Sequence, residues 1–185
     1  SKVSYSHMGA LISNAILQQR RKYATFVVPR VKKIEAAWPD ATTTTRFLDR
    51  LDTEGLTEVA EVRGRFPNYI RNLTVFLQAK GLESPDQLRE EFDAADPAGF
   101  LRDLRRVVGV GPKTRDYLGI LSGSKRYAAV DSRVQARVRD AGVSEPTSYA
   151  HVADVIEAAA AIMECEVADL DKAIWLWEKR ADSTA

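Results

Sequence analysis

Leu104-Arg105-Arg106-Val107-Val108-Gly109-Val110-Gly111-Pro112-Lys113-Thr114 reads as two helices joined by a sharp break. On its upstream side Phe100, Leu101, Leu104 and Val108 recur at helical spacing. Two glycines then flank one apolar residue. Pro112 suits the first position of a new helix, where its missing N–H would be unsatisfied anyway. Glycine admits positive φ and lets another backbone come close. Val110, between the glycines, can pack back against the two helices. The start of the second helix carries free N–H groups and the positive end of a dipole, which together favour an anion. A hairpin of this kind holds a phosphate without reading a base. The plainer alternative is an ordinary helix–turn–helix connection.

Outward from this hairpin the chain reads as nearly all helix. Leu11, Ile12, Ala15 and Ile16 give a helix over 8–24, and Phe26, Val27, Val31 and Ile34 give another that stops at Pro39. Thr42-Thr43-Thr44-Thr45 caps a third. A short helix over 57–63 ends at Gly64, and a longer one over 69–80 is closed by Gly81. Ser84-Pro85 and Asp96-Pro97 start two more, Pro112 starts the next, and Asp131, Pro146-Thr147-Ser148 and Asp169 open the last three. No segment of strand period exceeds a few residues. The predicted class is therefore all-α. Two helical lobes are expected, with a cleft between them. One is a central bundle over 20–125 ending in the hairpin, and the other combines 1–19 with 126–185.

The 185 residues carry a net charge of only +1, but the charge is blocked along the chain. Residues 20–33 hold six basic side chains and no acid, and residues 102–139 hold ten basic and three acidic. The intervening 34–101 and the final 140–185 are each strongly acidic. If the two basic blocks face one way, the surface binds a polyanion despite a near-neutral total. Solvated helix faces are the alternative. The single Cys165 excludes an intramolecular disulfide and a four-cysteine zinc or iron–sulfur site. Two well-separated histidines, His7 and His151, speak against a zinc hydrolase. The polar start shows no leader, and Ser6-His7-Met8 is assigned no function. The longest apolar run, over 158–163, is far short of the ~20 residues a membrane span needs. A reducing cytoplasmic setting and a monomer are expected, with no membrane contact.

A second signal is Ala128-Ala129-Val130-Asp131-Ser132-Arg133-Val134, where an apolar run delivers one acid to a helix start. Alone, Asp131 is read as an N-cap. Together with Lys113, eighteen residues earlier, it becomes specific. The hairpin 107–115 and the segment 130–134 resemble the helix-hairpin-helix DNA glycosylase superfamily, which includes endonuclease III, the adenine glycosylases and 8-oxoguanine glycosylase. Leu11-Ile12-Ser13-Asn14-Ala15-Ile16-Leu17-Gln18-Gln19 resembles that family's early L-I-x-x-I-L-S-Q-Q segment. Val62–Pro67 with Ile70-Arg71-Asn72-Leu73, and Asp171-Lys172-Ala173-Ile174-Trp175, resemble later segments, so the likeness spans roughly 9–177. The chain departs from the pattern at Val108, where proline is usual, at Ser132-Arg133 after the acid, and at Arg115. It also lacks the cysteines that hold an iron–sulfur cluster in some members.

The resemblance implies excision of a damaged or modified base during DNA base excision repair, by a DNA-binding protein acting as hydrolase and, with Lys113, as lyase. Cleaving an N-glycosidic bond builds positive charge on the sugar, which a carboxylate, Asp131, stabilises. The amine of Lys113 attacks C1′, expels the base and forms a Schiff base that permits strand cleavage. The substrate is double-stranded DNA with one nucleotide flipped out, because the target atom is unreachable inside the duplex. Gly109, Val110, Gly111 and Thr114 of the hairpin, with Arg106 and Arg133, contact DNA, and Gln19 fills the gap left in the duplex. No organic cofactor is required, and the resemblance adds a monovalent cation at the hairpin carbonyls. The protein is nucleoid-associated when bound. Two alternatives stay open: a base-modifying enzyme on this scaffold, and a non-catalytic hairpin module that needs neither Lys113 nor Asp131.

Overall fold

A computed structural model of the chain describes residues 5–19, 21–143 and 148–182, of which 178–182 by backbone alone. Among the described residues there are eleven α-helices, one π-helical turn and no strand, as the all-α reading expects. The helices are α1 (Met8–Leu17), α2 (Val28–Ala37), α3 (Thr44–Thr53), α4 (Leu56–Ala60), α5 (Phe66–Ala79), α6 (Pro85–Asp93), α7 (Ala98–Leu104), α8 (Pro112–Ser122), α9 (Ser132–Asp140), α10 (Tyr149–Ile162) and α11 (Val167–Asp182). The π-turn, Tyr23–Val27, feeds directly into α2.

Many ends follow the local chemistry of the sequence. Thr43 caps α3 by accepting from Arg46 N, and Ser84 and Gln87 close a reciprocal capping box on α6. Ser148 caps α10, while Pro146 and Thr147 lie outside the described residues. Other ends differ from expectation: α5 begins at Phe66, ahead of 69, and α11 at Val167, ahead of Asp169. The first helix stops at Leu17, and the chain turns before the π-turn. Helix α4 stops at Glu61, a left-handed C-cap with φ 54°, ahead of Gly64.

The chain divides into two compact units, Ser1–Gly123 and Ser124–Ala185. In the first, every residue of α1 is buried. The helix packs against α2, α3, α5 and α8. Residues 8–17 therefore belong with the bundle, whereas the sequence reading grouped 1–19 with 126–185. The cause is the all-round apolar character of α1, which only a surrounding bundle can cover. His7 holds its start. Its Nδ1 accepts from Ala10 N at 3.0 Å and its Nε2 donates to Trp38 O at 2.8 Å. Trp38, Phe47 and Phe92 are the largest fully buried side chains of this unit.

The second unit has its own small core of Ala128, Val130, Val134, Val138, Val152 and Ile156. Tyr149, Val167, Leu170 and Ile174 pack on its margin. Tyr149 Oη donates to Ala128 O at 3.2 Å, and Ala168 N donates to Lys125 O at 3.1 Å, tying α10 and α11 to the segment before α9. Among the described residues no helix is long and apolar enough to cross a membrane.

Candidate functional site

The hairpin between α7 and α8 is closed by a turn in which Val110 N donates to Val107 O at 3.0 Å. Val110 is 6% exposed, so the apolar residue between the glycines packs inward as expected. The two glycines differ. Gly109 has φ +105°, and a Cβ there would fall 2.4 Å from Tyr69 Cγ. A side chain from α5 is thus seated on it, and no other residue type fits. Gly111 has φ −86° and is extended, and a Cβ on it would meet nothing within 4 Å. The fold itself makes no demand for glycine at this position.

Gly111 is the N-cap of α8 and brings no side-chain acceptor to the first turn, and Pro112 has no N–H to satisfy. Lys113 is the second residue of that helix and is half-buried, and Thr114, the third, is buried. Gln19 reaches the hairpin from the end of α1. Its Nε2 donates to Gly109 O at 2.7 Å and lies 3.4 Å from Thr114 Oγ1. Asn72 Nδ2 donates to Val108 O at 3.3 Å. The carbonyls of Val107, Val108 and Gly109 therefore each accept an N–H. Arg106 stands 75% exposed just past α7, at 3.7 Å from Asp103 Oδ1. Val108 at the hairpin tip is 65% exposed.

A hollow of about 390 Å³ opens beside the hairpin, lined by Gln19, Arg65, Tyr69, Gly109, Val110 and Gly111. A second, of about 340 Å³, is lined by Gln19, Arg21, Arg63, Gly64, Arg65 and Phe66. Gln19 and Arg65 wall both. Sequence reasoning singled out Gln19 and the glycines, held Arg21 only within the basic block 20–33, and missed Arg65, Tyr69 and Arg63 as site residues. Their proximity is set by tertiary packing of α5 on the hairpin, which local spacing does not carry. The arginines surrounding Phe66 and Tyr69 were the available signal, since basic side chains interleaved with aromatics mark polyanion surfaces.

Asp131 and Arg133 belong to the second unit. Asp131 is the N-cap of α9, with Oδ1 accepting from Arg133 N at 2.9 Å and Val134 N at 3.1 Å. One carboxylate oxygen is thus engaged by the helix start, as the N-cap reading requires. The structure brings together Gln19, Gly109, Val110, Gly111 and Thr114 within the first unit, with Lys113 next in the chain. Arg106 is exposed at the foot of the same hairpin. Among the described residues no group of three or more His, Cys, Asp or Glu could hold a metal ion. Cys165 is exposed. No protein-family model, no curated protein and no solved structure matches the chain.

Proposed function

We propose that the chain is a DNA glycosylase of the helix-hairpin-helix type, excising a damaged or modified base from duplex DNA, with strand-cleaving lyase activity through Lys113. The observation that carries this reading is Gly111. It is open to solvent space, unconstrained in φ, and sits at the start of an eleven-residue helix with no side-chain acceptor of its own. A phosphate oxygen can approach that backbone where any side chain would stand in the way. The neighbouring hollow, walled by Arg65 and Gln19, supports the same reading.

In this proposal the target nucleotide is flipped out of the duplex before it reacts. The Lys113 amine, uncharged when it reacts, forms a bond to C1′. The glycosidic C1′–N bond breaks, and the base leaves with that electron pair and gains a proton. The sugar ring then opens to an imine between Nζ and C1′. Asp131 stabilises the positive charge that develops on the sugar. Gln19 exchanges its bond to Gly109 O for contacts in the vacated duplex, and Arg106 and Arg133 take phosphates. A cation at the hairpin would have to share the three carbonyls with the N–H donors already on them. Each of these carbonyls accepts one N–H and keeps a second lone pair for such an ion, and no step is routed through it.

Borohydride trapping on DNA containing abasic and damaged sites tests the reading. Wild type is expected to form a covalent adduct, and Lys113→Ala to form none. Lys113→Arg should not restore it, because a guanidinium stays protonated. Asn caps helices as well as Asp does, so Asp131→Asn keeps α9 intact. Its base release should fall by about two orders of magnitude or more, the scale of one key electrostatic group. Full activity in Asp131→Asn would reduce the acid to its capping role.

A further inference from the structure

The smaller hollow beside Gln19 is lined by three arginines from two separate segments. Arg21 follows α1, and Arg63 and Arg65 precede α5. No carboxylate stands among its lining residues. Among the described residues none of the three arginines closes an ion pair. The nearby Glu61 carboxylate is taken by Lys33 at 2.7 Å, and Arg63 adds only a weaker, more distant attraction to it. Crowding like charges without counter-charges costs free energy that a bound polyanion recovers.

The groups are also oriented. The Arg21 guanidinium lies 5.0 Å from the centre of the Phe26 ring and 5.7 Å from that of Phe66. Those rings are 6.1 Å apart. A guanidinium held against aromatic faces keeps its edge donors for a ligand and loses less freedom on binding. Arg65 lies 5.8 Å from the Tyr69 ring centre. It is also the N-cap of the fourteen-residue α5, whose start has no side-chain cap. The positive end of that helix adds to the same field. Gln19 and Arg65 wall both hollows, so the basic pocket is continuous with the hairpin.

We propose that Arg21, Arg63 and Arg65 form a second phosphate clamp, separate from the hairpin, that grips the DNA backbone beside the point where Gln19 enters. This rests on the reading of the chain as a DNA-binding protein. Guanidinium forks pair with carboxylates as well as phosphates. The adjoining open backbone at Gly111 favours a phosphodiester chain over an acidic protein surface, because one strand can then engage both sites. The clamp gives the first unit two points of attachment to one backbone, which fixes a direction as well as a position.

The test is binding of the full chain to a short duplex, followed by fluorescence anisotropy across about 50–200 mM salt. Arg63 and Arg65 are exposed, so Arg63→Gln/Arg65→Gln should melt like wild type. Its log–log salt slope should be shallower than wild type by about 1.8, or 0.9 for each phosphate no longer neutralised. Arg21→Lys keeps the charge but not the planar stack, and should weaken binding less than Arg21→Gln. An unchanged slope in the double variant, with Gly111→Leu still weakening binding, would overturn the clamp and leave the hairpin reading standing. A wild type that binds no duplex would overturn both. Polyglutamate competing as well as DNA would overturn the phosphate assignment and point to an acidic protein partner.

Discussion

Gly109 and Gly111 stand two positions apart and answer to different demands. At Gly109 both the backbone and the Tyr69 ring forbid a side chain. Gly109→Ala should therefore lower stability by about 1–3 kcal/mol, the combined scale of left-handed strain and overpacking. At Gly111 the added methyl meets empty space in an extended backbone, so Gly111→Ala should leave the melting midpoint nearly unchanged. Gly111→Leu should also fold, yet weaken binding to all duplex sequences alike, because phosphate contacts carry no sequence information. Thermal melts paired with binding measurements separate the two glycines. Equal loss of stability at both positions would contradict the open space at Gly111. The sequence points to both glycines and to the inward packing of Val110. It is silent on which glycine serves the fold, since Tyr69 is forty residues away and only packing brings it there.

At the scale of the element, α1 was the hardest to read. Past Leu17 the residues 18–22 are polar and basic and hold no glycine or proline to mark a stop, so the sequence reading carries the helix to residue 24, although the chain breaks and re-enters through a π-turn. His7, which composition gives no reason to notice, supplies the cap. By contrast the caps at Thr43, Ser84, Asp131 and Ser148 are legible, because a small polar residue before an apolar run is a local signal with a local cause. Helix α1 also explains an alkaline limit. Its Asn14 Nδ2 donates to Tyr5 Oη at 2.6 Å and is 3.2 Å from Tyr23 Oη. Burial chiefly pushes the Tyr5 phenol from 10.0 up to about 12, with Asn14 opposing. The folded state thus holds this proton more tightly than the unfolded chain. The resulting stability is full below pH 10 and is lost as pH climbs from 10 towards 12. Tyr5→Phe should flatten that alkaline decline while leaving the neutral-pH midpoint less affected. Denaturant melts at a series of pH values check it, and an unchanged decline would show that Tyr5 is not its source.

Over the whole molecule the two units differ in the size of what they bury. The first has Trp38, Phe47, Phe92 and a run of leucines and isoleucines fully enclosed. The second is assembled mainly from valine and alanine, with Ile156 the largest side chain of its core cluster. A unit near 60 residues buries only about 60% of the surface its unfolded chain exposes, which makes it marginal. Amide exchange should therefore be faster in α9 and α10 than in α1, α5 and α8, with the slowest amides confined to the first unit. Uniform protection across both would mean that the valine core is as resistant to opening as the aromatic one.

The enclosure of α1 has a further bearing on how the chain comes into being. Helix α1 leaves the ribosome ahead of the helices that cover it, and α8, one of them, is made about a hundred residues later. At a synthesis rate of about 5–20 residues per second, its apolar face waits several seconds for that cover. A nascent chain that stalls before Pro112 presents that face to water and to whatever binds apolar helices. Once Ser122 has emerged the bundle can close, while the remaining residues are still being threaded out.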